Sequence, residues 1–371
     1  MLQWAGTDSN GRMSKPTTIL DIARQLSVHK STVSLALSGK GNVSAKTRDR
    51  VVTAARDMGY EPDANAQRLA RGVHDSLVCL FSGGLDVGLT TEKILLVQEN
   101  LSARGLDVPI YTYTASENGA GQLAQVRQLC RQRPRAIVVA AQQIDPLVLG
   151  QLKLYQEGGG VVVSYDLPLA IDCDQIIFDR EDNAYQAARY LLDRGHRRIG
   201  IGFSRLTGPA AGSEGDPETP RMRGFRRALA EFDIQPRAEW VFHNATYEKG
   251  GAEMARQFLA LSERPTGLCI VNDYVALAFM VEVRRAGVAV PGDVSIVSHD
   301  NQPIAAYCPV PLTSVTHPAE EIARRVVEAL LSRLSGDLAA ASDTVVIRGA
   351  LVERESVADA RESPPTGSRR G

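Results

Sequence analysis

TILDIARQLSVHKSTVSLALSGKGNVSAKTRDRVVTAARDMGYEPDANAQRLARG, Thr18 to Gly72, is the stretch on which the reading of this chain turns. Ile19, Ile22, Ala23 and Leu26 fall at helical spacing, and Val28, Thr32 (through its methyl), Val33, Ala36 and Leu37 repeat the pattern. Ser27 and Val28 leave room only for a tight corner between two short helices. A third helix is predicted from Ser44 to Met58. Thr18 with Asp21 makes a capping box with a shorter acid, Gly59 suits a left-handed residue past the third helix, and Pro62 stops its continuation. Two short helices at a sharp angle, closed by a third, form the minimal helix-turn-helix.

Charge separates this head from the rest. The 371 residues carry 42 Lys and Arg against 43 Asp and Glu, a net charge of -1. Met1 to Gly72 holds eleven of the bases and six of the acids, so a head of +5 precedes a remainder of -6. A basic head on an acidic body points to phosphate as the partner of the head. The five cysteines stand singly, without a CxxC pair, and read as reduced core thiols. Neither an apolar leader nor a run of about 18 apolar residues occurs, which leads us to expect a cytoplasmic protein without a membrane partner.

From Asp75 to about Val357, short apolar runs alternate with amphipathic stretches: LVCLF before LTTEKILLVQENLSARG, AIVVAA before PLVLGQLKLYQEGG, RIGIGF before RMRGFRRALAEF, GLCIVND before YVALAFMVEVRRAG. Continuous apolar strands separated by helices mean parallel sheets covered on both faces. The rhythm restarts after Ile176, so two doubly wound subdomains with a ligand cleft between them are expected. GPAAGSEGDPETP, Gly208 to Pro220, reads as a mobile loop.

These motifs, taken together and in this order, resemble the LacI/GalR family of bacterial transcription regulators. In the head the resemblance rests on ILDIARQLSVHKSTVSLAL and NVSAKTRDRVVTAARDMGYEPDANAQRLARG. In the body it rests on DNAYQAARYLLDRGHRRIG, RMRGFRRAL, VNDYVALAFM, PGDVSIVSHDN, PLTSVTHP and VERES. It implies an all-α helix-turn-helix head with a hinge helix, then an α/β periplasmic-binding-protein-like body. The expected boundaries are a disordered extension 1–15, a DNA-binding domain 16–61, a hinge 62–74, a body 75–357 and a disordered tail 358–371. Within the body we expect 75–176 with 302–332 as one subdomain and 177–301 with 333–357 as the other.

The resemblance also implies roles. Lys30 and Ser31 face base edges, Thr32 and Ser34 donate to phosphate, and Leu69 wedges between base pairs of the minor groove. Thr18, His29, Leu35, Asn42 and Ala66 complete the expected DNA-facing set. Leu35 stands where many members have Arg, and His29 where they usually have Ser, so an altered operator is expected. In the cleft, Arg221 is the main polar contact to a sugar-like effector. Asn272, Asp300 and Asp166 bind its hydroxyls. Phe81, Phe203 and Tyr165 end strands, where an aromatic either stacks on a sugar face or fills the core, and Phe81 and Phe203 are taken as effector contacts. Asp273 is expected as the cap of the following helix rather than a ligand contact. Ser298 and His299 replace the family's Gly and aromatic, which puts the effector's identity in doubt. The partners implied are an operator in double-stranded DNA, a small-molecule effector and a second copy of the chain.

Two alternatives stay open on the sequence. A solute-binding protein would share the body, but the basic head and the absent leader argue against it. A sugar-acting enzyme would need a use for Asp172, Asp174, Asp179, Glu181 and Asp182, yet no His or Cys at ligand spacing accompanies them. No catalytic residue, metal or cofactor is expected.

Overall fold

A computed structural model describes residues 17–38, 43–60, 74–83, 88–113, 119–142, 144–204, 219–244, 247–336 and 341–360. The expected extension 1–15, the hinge helix, Asn42, Ala66 and Leu69 lie outside the described residues, as does most of the loop 208–220. The chain divides into two compact units, Met1–Val73 and His74–Gly371.

The first unit contains α1 (Ile19–Leu26), α2 (Lys30–Ser38) and α3 (Ala45–Asp57). Thr18 caps α1, and Asp21 returns a bond to the Thr18 N–H at 3.0 Å, completing the capping box. Ser44 caps α3 by accepting from the Thr47 N–H at 3.2 Å. Ser27 turns the corner with φ 51°, a left-handed conformation that costs a non-glycine residue about 1–2 kcal/mol. Ile22, Val33, Ala36, Val51, Ala54 and Ala55 form a shared core.

The second unit contains two six-stranded sheets. One has the order β11-β5-β4-β3-β1-β2, built from β1 (His74–Gly83), β2 (Ile110–Tyr113), β3 (Pro134–Ala140), β4 (Val161–Asp166), β5 (Asp174–Phe178) and β11 (Thr344–Ile347). The other has the order β12-β10-β9-β8-β6-β7, built from β6 (Ile199–Ser204), β7 (Val241–Asn244), β8 (Gly267–Ile270), β9 (Ser295–Asp300), β10 (Thr313–Thr316) and β12 (Leu351–Val352). Helices α4 (Leu89–Ser102), α5 (Gly119–Arg131), α6 (Pro146–Glu157) and α11 (Ala319–Leu334) belong with the first sheet. Helices α7 (Arg180–Asp193), α8 (Pro220–Ala230), α9 (Tyr247–Ala260) and α10 (Asp273–Arg285) belong with the second.

The strands divide differently from the expected boundaries. β10, inside 302–332, pairs with β9 of the second sheet, while β11, inside 333–357, pairs with β5 of the first. β12 runs antiparallel to β10. The cause is the short connection: β11 runs parallel to β5, and residues 348–350 carry the chain straight to the other sheet without a helix to reverse it. The chain crosses between the sheets three times, after β5, after β10 and after β11, each time at strand carboxyl ends.

Three smaller expectations are corrected. Pro220 opens α8 instead of closing a loop. Residues 358–360 are tied to the body, the Ala358 carbonyl accepting from His196 at 3.0 Å and the Ala360 N–H donating to the Arg194 carbonyl at 2.8 Å. The N-cap of α10 is Asn272, which accepts from Tyr274 and Val275 N–H, and not Asp273.

Candidate functional site

In the head, α2 buries Val33 and Ala36 and turns Lys30, Ser31, Ser34 and Leu35 outward. Positions 30, 31, 34 and 35 share one helix face because they are one and four residues apart. Leu35 is 41% exposed, an apolar side chain in the middle of a polar face. His29, just before α2, accepts from the Ser31 N–H through Nδ1. Thr32 is half-buried and Thr18 is engaged in its cap, so these two are less open than their neighbours on α2.

In the body, polar side chains converge where the carboxyl ends of both sheets meet. Asp166 ends β4 and Asp300 ends β9, with φ 88° and 96°. Such backbone costs a non-glycine residue about 1–3 kcal/mol and clusters at functional sites. Lys93 of α4 donates to Asp166 at 2.5 Å and to His317 Nε2 at 3.2 Å. Gln142 donates to the same Asp166 oxygen. Arg180, on the first crossover, lies 3.9 Å from Asp166. His317, on the second crossover, stands between the aspartates, 3.5 Å from Asp166 and 4.0 Å from Asp300, with its ring stacked on Phe178. Since an ammonium only donates, His317 Nε2 accepts, and the ring proton sits on Nδ1 facing Asp300. Gln302 reaches across to Glu92 of α4 at 3.4 Å.

The second sheet supplies the rest. Asn272 donates to Asp300 at 3.1 Å while capping α10. Asp273 accepts from Ser298 Oγ at 2.5 Å, Ser314 Oγ at 2.9 Å and Gln302 N–H at 2.6 Å, which fixes α10, β9 and β10 behind Asp300. Arg221 opens α8 close enough for its charge to act on both His299 and Asp300. Gly224 lets α8 lie against the Glu181 carbonyl of α7, where any Cβ would collide. Ser298 is therefore a partner of Asp273, and buried His299 holds the Ile270 carbonyl through Nδ1 at 3.1 Å.

Burial sets the protonation states. It opposes ionisation of Asp166, but the Lys93 ammonium and the Arg180 guanidinium outweigh it and hold that carboxyl well below the usual range. Burial pulls the Lys93 ammonium below its ordinary value, with Asp166 opposing. Burial pushes Asp300 up to about 6 against the pull of Arg221. Burial and the Asp300 carboxylate push Asp273 up to about 7. His299 and His317 are each pushed down to about 3, by burial first and then by Arg221 and Lys93 respectively, so both are neutral at physiological pH.

The structure thus brings together Asp166, Asn272, Asp300 and Arg221. It does not bring Phe81 and Phe203 to them: at 0% and 1% exposed, they pack into the cores beside Tyr113 and Met222. Of the two roles open to these strand-end aromatics, core filling is the one observed, since each faces its own layer of helices. Lys93, Arg180 and His317 were missed. A signal existed for Lys93, which falls in line with Val97 and Leu101 on the apolar face of α4. The acids once weighed as a metal or catalytic cluster are committed elsewhere: Asp174 to Arg333 at 2.7 Å, Asp172 to Ser342, Asp179 to the cap of α7, Glu181 to Arg223 and Arg227, and Asp182 to Gln186.

Two family models match the chain: bacterial regulatory proteins, lacI family, over residues 18–63, and a periplasmic binding protein-like domain over residues 188–357. The HTH-type transcriptional repressor PurR of Pectobacterium carotovorum is 29% identical over 343 residues, covering 92% of this chain and 97% of that relative. PurR of Escherichia coli O127:H6 is 27% identical over 342 residues with the same coverage. Among solved structures, the Lac repressor dimer bound to operator and the anti-inducer ONPF has a TM-score of 0.79 at 23% identity, over 93% of this chain and 100% of that chain. The transcriptional regulator CelR–cellobiose complex has a TM-score of 0.65 at 23% identity, over 92% and 99%.

Proposed function

Because the chain belongs to the lacI family of bacterial regulatory proteins, we propose that it is a ligand-responsive transcription regulator, acting as a repressor, and not an enzyme. The observation that carries this is the joining, on one chain, of a three-helix head with an outward polar face on α2 to a body whose strand carboxyl ends converge on a charged site. Two copies bind a pseudo-palindromic operator, Lys30 and Ser31 meeting base edges and Thr32 and Ser34 meeting phosphate. Thr18, His29, Leu35 and Asn42 border that contact, and Ala66 and Leu69 act in the minor groove. The protein works in the cytoplasm, on the nucleoid.

A sugar-like metabolite binds between the sheets, with Arg221, Asn272 and Asp300 receiving it. Closure turns the subdomains about the three crossovers and changes the spacing of the two hinge segments, 62–74 of each copy. A coupling of about 1–3 kcal/mol between effector and operator is enough for a 5–150-fold change in affinity. Removal of residues 1–72 is expected to abolish retention of a selected operator while leaving effector binding intact. Retention of DNA by the shortened protein would overturn the assignment of the head.

A further inference from the structure

We infer that the small molecule taken by this cleft is an acid, a polyhydroxylated compound carrying a carboxylate or a phosphate, and that Lys93 selects it. The inference rests on the proposed reading of this site as the effector cleft.

Three cationic side chains, Lys93, Arg180 and Arg221, act on the junction from α4, α7 and α8. Opposite them stands one carboxylate held firmly ionised, Asp166. Asp273 is committed to three donors of its own subdomain, and burial works against the charge of Asp300. His299 and His317 are neutral and add no charge. Three cationic side chains therefore face Asp166 and Asp300 at the place where ligands bind in sheets of this kind.

Lys93 is the element hardest to explain as framework. It occupies a position on the apolar face of α4, in line with Val97 and Leu101, and is 1% exposed. Taking an ammonium out of water there is costly, and an apolar pair in place of Lys93 and Asp166 would generally brace a helix on a sheet at least as well. The ammonium has three N–H groups and two acceptors among the described residues, Asp166 and His317, so one N–H remains for a ligand oxygen. The Tyr165 hydroxyl is buried without a hydrogen-bond partner among the described residues, and Lys93 Nζ lies 5.8 Å from the centre of the Tyr165 ring. An ammonium with an open donor suits an oxyanion. Asn272 and Asp300 suit the hydroxyls of the same molecule.

The test uses the full chain, with calorimetric titration and thermal shift. D-gluconate and D-galacturonate represent the carboxylates and D-glucose 6-phosphate the phosphates. D-glucitol, D-galactose and D-glucose are their neutral counterparts. At least one acid is expected to bind ~10-fold or more tightly than its neutral counterpart, with the gap narrowing as salt rises. The class that binds identifies the source of the anion. Lys93→Met is expected to weaken the acid ~10–100-fold more than it weakens the neutral counterpart, and Lys93→Arg to keep the preference. If Lys93→Met does not fold, the wild-type comparison and Lys93→Arg decide. Equal or tighter binding of the neutral compounds, no binding of any acid, or an acid preference surviving in Lys93→Met would each overturn the inference. Operator retention is read on the same preparations. Loss of the acid preference with retention intact overturns this inference alone, whereas a full chain that retains no operator overturns the proposed function.

Discussion

Removing the two partners of the buried Lys93–Asp166 pair should have unequal consequences. The pair is 2.5 Å apart, with side chains 1% and 0% exposed. Asp166→Ala leaves the ammonium buried with His317 as its one hydrogen-bond acceptor among the described residues, and the loss of a partner from such a pair costs about 3–5 kcal/mol. Lys93→Met leaves Asp166 with Gln142 and with Arg180 at 3.9 Å, so its cost is set nearer to one charged hydrogen bond, about 1.5–3 kcal/mol. In Lys93→Met/Asp166→Asn neither charge is stranded. The double variant should therefore be less destabilised than the sum of Lys93→Met and Asp166→Asn, by about 1–3 kcal/mol. Urea unfolding of the body at pH 7, followed by circular dichroism with slopes compared across the set, reads these differences. For a unit of this size each kcal/mol corresponds to about 2–4 °C in Tm. Additivity within about 0.5 kcal/mol, or a Lys93→Met cost exceeding that of Asp166→Ala, would refute the claim that Arg180 and Gln142 sustain the carboxylate.

Other outcomes follow from the head and from the buried histidines. Thr18→Ala removes the capping box of α1 and should destabilise the head by about 1 kcal/mol in thermal unfolding. Ser27→Gly relieves the left-handed strain at φ 51° and should raise the same midpoint by up to about 1 kcal/mol; a lowered midpoint would contradict the strain. Leu35→Arg should leave head stability within about 0.5 kcal/mol but shift base preference opposite residue 35 toward guanine by about 1–3 kcal/mol, as read by operator selection. His299 and His317 have depressed folded pKa values of about 3, so the unfolded state takes protons first as pH falls below about 6.5, and their contribution to stability is lost from there down to about 3. Asp273 and Asp300 act with the opposite sign, their raised pKa values favouring the fold as pH drops from about 7 toward 4. His317→Gln should therefore flatten the loss of stability below pH 6 in urea titrations, and an unchanged acid limb would count against a neutral His317.

The three crossovers link fold and site. Arg180 lies on the first and His317 on the second, and both address Asp166. His317 also lies within 4.0 Å of Asp300, so one ring on a connecting segment touches the strained strand ends of both sheets. A ligand competing for either aspartate would act on the segments that join the two sheets.

Local chemistry was legible in the chain by itself. Helical spacing, the Thr18–Asp21 box and Ser44 placed the three head helices to within a residue or two, because caps and apolar faces are set by neighbours three or four positions away. The alternation of apolar runs and amphipathic stretches announced two parallel sheets for the same reason. Only the tertiary structure decided which strand joins which sheet, since β10 and β11 are four residues each and nothing within so short a run specifies its pairing partner. It also decided the site. Phe81 and Phe203 end strands as a ligand platform would, yet their pleat turns them into the cores. Lys93 shares the apolar face of α4 with Val97 and Leu101, but its partners Asp166 and His317 lie 73 and 224 residues away. Pairings over such separations leave no local periodicity, because they arise where the carboxyl ends of two sheets are brought together by the crossovers.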